Sequence, residues 1–404
     1  MSLKFEQTYT YLAALICASI PFMTYAKAFV NISMICLTLI LFAQLNKEKF
    51  KKIITQNTLI LLFVFLFWIV AYSGFNNSFF ADFSETRKIA QTLLLLILFS
   101  QVSDKRILIN MFIVGTFLSG LITSINIITF YLNSFEFLLT GADTNELFIT
   151  QRLYLGFFIV ISLILSLERL YNTSNKNHKA AYLFLILSFL IFLILISSRS
   201  AILIAFIVLI TSFIYNSKSI KRTIVLISTI SVFLIMIFNN KTLSKRFLYA
   251  DDSVRQSFME KIKTHEPRYD IWKFSAQIFE EQGSYMLGLG TYKTQELLID
   301  KYKIMPIKKR SDWFIKRNFN THNQYLDITL SYGFIGLIIF MGFIKEIIFS
   351  SYKNIYSFNL IISLILFLFI ENLFHRQLGA FIFALTIVWA FYLINTKNEK
   401  NISS

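Results

Sequence analysis

Apolar residues in this chain come in long unbroken blocks. Leu59–Tyr72, Ala180–Ile196 and Asn359–Ile370 contain no charged side chain. A bilayer core roughly 30 Å thick is crossed by about 17–25 apolar helical residues. On that rule the pattern predicts twelve spans, near 9–25, 28–45, 57–74, 87–102, 107–131, 153–171, 180–197, 201–216, 223–238, 325–344, 357–374 and 377–394. In lipid the backbone must satisfy its own polar groups, so each span is expected to be a helix. The first block reads as a span, since no small-x-small cleavage pattern follows it. One stretch, 239–323, has a different texture. Within it Arg268–Glu281 places Ile271, Phe274, Ile278 and Phe279 near a 3.6-residue period, which predicts an amphipathic helix, and Gly283, Gly288 and Gly290 mark turns. The expected organisation is a first membrane unit over 1–238, one large loop over 239–323, and a second membrane unit with a tail over 324–404.

Composition changes the picture by exclusion. The 404 residues are 56% hydrophobic and 15% charged, with mean hydropathy +0.61. Soluble domains hold about 45–50% apolar and about 25% charged residues, so a soluble enzyme and a disordered chain are excluded. The net charge of +16 suggests nucleic acid only until the charges are placed. With the N-terminus inside, the inner connections carry seventeen Lys and Arg, among them Lys47, Lys49, Lys51, Lys52, Lys218, Lys221 and Arg222. The short outer connections carry six: Lys27, Arg87, Lys88, Arg152, Arg199 and Arg376. This asymmetry predicts both termini inside and the large loop outside, where long loops escape the charge rule. That loop holds sixteen bases against ten acids, which suits an anionic partner; a solvated loop touching lipid headgroups is the alternative. Cys17 and Cys36 fall in apolar blocks and offer no disulfide framework.

Polar residues that interrupt apolar blocks on one side are the candidates for chemistry. Four clusters qualify, all expected at the outer face. Ser197-Ser198-Arg199-Ser200 is a tight hairpin, and its guanidinium can fork onto phosphate. Arg268 opens the amphipathic helix, whose N-terminus favours anions. Thr321-His322-Asn323 precedes the tenth span, and histidine is the usual general base near neutral pH. Gly333 and Gly336 follow inside that span, where small residues let helices approach closely. Glu371-Asn372-Leu373-Phe374-His375-Arg376 joins the last two spans, with Glu371 able to pair with Arg376 or another arginine. Arg87, Lys88 and Arg152 add charge at the same face. Each cluster alone also fits an interfacial anchor or a structural ion pair. Jointly they predict an electropositive outer pocket with a proton acceptor. No Walker A, Asp-x-Asp, His-Glu-x-x-His or Gly-x-Ser-x-Gly string occurs, and neither a metal site nor a cofactor is expected.

These strings resemble a known family. His322-Asn323, nine residues, Gly333, two residues and Gly336 reproduce the His-Asn-x9-Gly-x-x-Gly pattern of bacterial O-antigen ligases and their polymerase relatives. Ser198-Arg199-Ser200-Ala201 is similar to the Ser-Arg element of that family. Arg268 with Trp272, then Gly288-Leu289-Gly290-Thr291, resembles its large-loop pattern. The likeness runs from about Arg152 to Arg376; residues 1–150 share only hydropathy. It implies a GT-C-like glycosyltransferase with about twelve helices and a periplasmic loop, acting at the outer face of the inner membrane in lipopolysaccharide biosynthesis. Such ligases move polysaccharide from undecaprenyl pyrophosphate to a hydroxyl of lipid A–core, without metal and with inversion. Carried over, Arg199 and Arg268 bind the donor diphosphate and His322 activates the acceptor. Asn323 orients the histidine or the acceptor, and Arg87, Lys88, Arg152, His375 and Arg376 complete the substrate site. The related alternative is an O-antigen polymerase on the same carrier. A flippase or transporter would favour charges at mid-membrane and repeated broken helices, which the sequence lacks.

Overall fold

The computed structural model describes residues 3–43, 55–76, 78–134, 146–216 and 266–402, with isolated positions between 224 and 263. Among the described residues all regular structure is helical. In chain order the α-helices are α1 (Leu3–Ser19), α2 (Met23–Ala43), α3 (Asn57–Phe75), α4 (Phe79–Gln101), α5 (Lys105–Ser134), α6 (Arg152–Asn172) and α7 (Lys176–Ile196). There follow α8 (Arg199–Asn216), α9 (Pro267–Gln282), α10 (Thr291–Lys303), α11 (Lys308–Arg317), α12 (Gln324–Ser351), α13 (Ile355–Leu368) and α14 (Gln377–Ile402).

Among the described residues, seven helical stretches are long and apolar enough to cross a membrane, fewer than the twelve expected. The physical reasons differ from span to span. The expected spans 9–25 and 28–45 form one run, Phe5–Ala43, interrupted by a 3-10 turn at Ile20–Phe22 around Pro21. Tyr9 Oη donates to Leu98 O, while Gln91 Nε2 donates to Met34 Sδ two turns away on the same α4. A straight helix from 9 to 34 would cover roughly 37 Å, so the run bends back on itself. The expected span 87–102 begins at Phe79 instead, and Asp82, Glu85, Arg87 and Lys88 within α4 make it polar at that end. The apolar part of α8 and the whole of α13 are short helices, and 357–374 stops at Leu368 rather than running into the hairpin. The stretch 223–238 lies outside the described residues apart from isolated positions.

Helix α6 is the buried centre of the bundle, enclosed on all sides from Tyr154 to Glu168. Phe157 stacks on Phe367 of α13 with ring centres 4.0 Å apart, and Phe112 of α5 meets Trp389 of α14 at 4.8 Å. Such interlocking matters because lipid supplies little hydrophobic drive between helices. Asparagine side chains start three helices: Asn175, Asn323 and Asn354 each accept from two backbone N–H groups of the first turn.

Helices α9, α10 and α11 form a small unit with its own core of Ile271, Ile278, Leu298, Tyr302 and Phe314, closed by Leu330 of α12. Arg310 clamps α11 to α9 with two bonds to Asp270, at 2.6 and 2.9 Å. The expected amphipathic helix is α9, and Gly283 ends it in left-handed geometry, φ 62°.

Gly333 does something the sequence reading did not anticipate. It breaks α12, at φ 65° and ψ −170°, instead of smoothing an approach between helices. The segment 285–290 crosses at that break and takes over its hydrogen bonds: Leu289 N donates to Leu330 O, Gly290 N to Ser331 O, and Phe334 N to Tyr285 O. Trp68 Nε1 donates to the released Tyr332 O. Non-helical backbone inside a bundle persists only where protein satisfies it in this way.

Bonds between Ser103 and Glu6, Arg106 and Tyr392, Asn57 and Glu346, and Asn354 and Leu393 O gather at one end of the bundle. Arg199, Arg268, His322 and the 371–376 hairpin lie at the other.

Candidate functional site

The hairpin between α7 and α8 turns through Ser197, left-handed at φ 53°, and delivers Arg199 as the first residue of α8. Its Nη2 donates to Glu266 Oε2 at 3.1 Å. Glu266 stands just before α9, and its other oxygen accepts from Arg268 Nη1, also at 3.1 Å. Arg268 Nη2 donates to Ile370 O at 3.1 Å, joining the α9 unit to the last hairpin. Two arginines 69 positions apart in sequence thus share one carboxylate. In the sequence Glu266 stands out only as one of ten loop acids.

His322 sits beside this pair. Its backbone is left-handed, φ 46°, an arrangement that costs roughly 1–3 kcal/mol for a non-glycine residue and recurs at functional sites. Asn320 Oδ1 accepts from its N–H. Thr321, fully buried, fixes the preceding turn: its carbonyl accepts from Trp272 Nε1 at 2.9 Å, and its hydroxyl accepts from Asn372 Nδ2 at 2.7 Å. Trp272 is therefore a strut under the histidine loop. Asn323 spends its side-chain oxygen on Tyr325 N and Leu326 N as the cap of α12, so it acts on the histidine through the backbone.

The imidazole Nδ1 of His322 lies 3.1 Å from Glu371 Oε2. Glu371 is 4% exposed, and Arg376 Nε approaches its other oxygen at 3.8 Å. Burial pushes this carboxyl up, but the His322 bond and the charges of His322, Arg376 and Arg268 outweigh it and hold it below the usual carboxylate value. An ionised, buried carboxylate on Nδ1 fixes the ring and leaves Nε2 as the nitrogen able to take a proton.

His375 forms a second imidazole–carboxylate pair, Nε2 to Asp327 Oδ2 at 2.9 Å, with Glu85 Oε1 at 4.0 Å from Nδ1. Burial pulls its pKa down; Asp327 and Glu85 more than compensate, and it lies above the usual histidine value. Lys88 pairs with the same Glu85 at 3.2 Å. Arg87, Lys88, His375 and Arg376 line a cavity of about 1150 Å³ together with Lys27, Asn31 and Gln377. Met23, Met34, Ile35, Leu94 and Leu378 add apolar surface to its wall, and Thr24, Gln91, Thr150 and Gln151 add neutral polar groups. Arg152 is absent from that lining; its guanidinium lies over the ring of Phe148, which does line it, at 4.7 Å.

Buried polar atoms at this end without a hydrogen-bond partner among the described residues include Arg268 Nε, Glu371 Oε1, Asn372 Oδ1, Thr150 Oγ1 and Tyr154 Oη. The structure thus brings Arg199, Arg268, His322, His375 and Arg376 into one connected set, sets Arg87 and Lys88 across the cavity, and keeps Arg152 behind its wall. The acids Glu266, Glu371, Asp327 and Glu85 complete it. Of these the sequence signalled only Glu371, through its place in a charged hairpin.

The described residues form an all-helical, polytopic membrane protein in which two arginines share one carboxylate near a histidine–carboxylate pair. Residues 183–341 match the family model described as O-antigen ligase. The match contains Arg199, Glu266, Arg268, His322 and Gly333. No curated protein matches the chain.

Proposed function

We propose that this protein is an O-antigen ligase, transferring polysaccharide from undecaprenyl pyrophosphate to a hydroxyl of lipid A–core at the periplasmic face of the inner membrane. In this reading the chain has twelve spans and a GT-C-like architecture, with the loop 239–323 in the periplasm and both termini in the cytoplasm. The observation that carries it is the Glu371-held His322 beside the Arg199–Arg268 pair.

Attack of the acceptor oxygen on the anomeric carbon forms the new glycosidic bond as the bond to the diphosphate oxygen breaks, inverting the centre. The hydroxyl proton passes to His322 Nε2, and Glu371 stabilises the imidazolium that results. Negative charge grows on the departing diphosphate, where Arg199 and Arg268 are already placed and need no reorganisation. Those guanidiniums supply the charge that a divalent cation supplies elsewhere, so chelators are expected to leave the rate unchanged. The 1150 Å³ cavity, charged at Lys27, Arg87, Lys88 and Arg376 and apolar at Met34, Ile35, Leu94 and Leu378, suits an amphiphile with an anionic head. Asn323 and Arg152 support the site from behind.

Purified full-length protein, supplied with lipid-linked polysaccharide and lipid A–core, tests the reading. Polysaccharide attached to core supports the ligase. Elongation of the carrier-linked glycan alone would assign the polymerase reaction instead, and movement across vesicles without transfer would assign transport.

A further inference from the structure

We infer that Glu266 is a positioning residue that assembles Arg199 and Arg268 into one anion receptor; this rests on the proposed reading of those arginines as the diphosphate site. Arg199 comes from the α7–α8 hairpin and Arg268 from the first turn of α9, and each donates to a different oxygen of the same carboxylate at 3.1 Å. Two guanidiniums brought this close repel one another. A carboxylate between them offsets that repulsion and leaves the trio with one net positive charge, enough to attract an anion. Arg268 also donates to Ile370 O, and Arg199, 38% exposed, comes from a separate element and meets Arg268 at Glu266. Glu266 itself is anchored from below, since its carbonyl accepts from Tyr269 N in the first turn of α9. The carboxylate therefore couples the α9–α11 unit to the membrane bundle at the point where the leaving group is to be held.

The test uses full-length protein in detergent, with inorganic pyrophosphate as the binding probe and transfer from the lipid-linked donor as a separate readout. Glu266→Gln keeps the shape but offers one acceptor and one donor, so one arginine loses its partner. Pyrophosphate affinity is expected to fall roughly 10- to 100-fold, as for loss of a charge-assisted bond, and kcat/KM for the donor to fall with it. Glu266→Asp should recover most of the loss. In an Arg199→Ala background the Glu266→Gln effect should shrink, because the bridge is already cut; a purely structural role would leave the two losses additive. Unchanged or tighter pyrophosphate binding in Glu266→Gln would overturn the inference and make Glu266 a bystander or a competitor for the site. So would a wild-type protein that does not bind pyrophosphate. Should wild type bind pyrophosphate through Glu266 yet transfer no sugar, the receptor stands and the ligase reading fails.

Discussion

At the residue scale, the chemistry depends on which acid each base meets. His322→Ala removes the proposed proton acceptor, and transfer by purified protein is expected to fall by about 10²–10⁴, the usual worth of a general base. Glu371→Gln keeps a hydrogen-bond partner but loses the charge that stabilises the imidazolium. Its rate should fall by a comparable factor while donor KM changes little, which steady-state kinetics at varied donor reads directly. Arg199→Lys retains charge without the planar fork; a rate within twofold of wild type would show that a point charge suffices there. The second histidine makes a stability prediction. His375 is raised above its ordinary value by Asp327 and Glu85, so its ion pairs contribute fully at pH below the usual histidine value near 6.5, and the contribution is lost as pH rises through the raised value. The thermal midpoint of wild type should therefore decline over that alkaline-going window, and Asp327→Asn, which removes the main raising partner, should shift the decline toward lower pH.

Among the elements, α12 carries the most informative irregularity. A Cβ on Gly333 would sit 2.1 Å from Met286 O, in a left-handed conformation that also disfavours any side chain. Gly333→Ala is expected to cost more than about 3 kcal/mol and to detach the 285–290 segment from the helix break, seen as a lowered unfolding midpoint and faster proteolysis within that segment. Asp82 is the other fastening. It is fully buried, accepts from Ser78 Oγ at 2.6 Å and from Tyr292 N at 2.8 Å, and so ties α4 to the start of α10. Periodicity had identified α9 as amphipathic and the glycines after it as turns. It had no means of identifying Asp82 as a fastening, because a carboxylate at the start of an apolar stretch reads as the edge of a span.

For the whole molecule, sidedness is the property with a direct test. Lys303, on α10, and Lys353, after α12, lie at opposite ends of the bundle. With cysteine in place of each, an impermeant thiol reagent on intact cells should label position 303, and position 353 only after the inner membrane is opened. The reverse pattern would turn the site toward the cytoplasm and remove the periplasmic reaction. The same scale decides what the loop does. Its three helices have a core of their own, yet Leu330 of α12 closes it, so the unit is built onto the bundle and delivers Arg268 and Trp272 to fixed places.

The sequence by itself determined the helical membrane class, the amphipathic α9, the family strings and the cationic and imidazole groups proposed for the chemistry. Hydropathy and short motifs are local properties, and each of those features is written within a few turns of chain. Pairing is not local. His322 meets Glu371 across 49 positions, Arg199 meets Glu266 across 67, and Asp82 meets Tyr292 across 210. Only the packed bundle brings such partners within bonding distance, and the cost of a buried unpaired charge then holds them together. For the same reason Gly333 read as a site of close helix approach until the crossing segment that needs its missing side chain was in place.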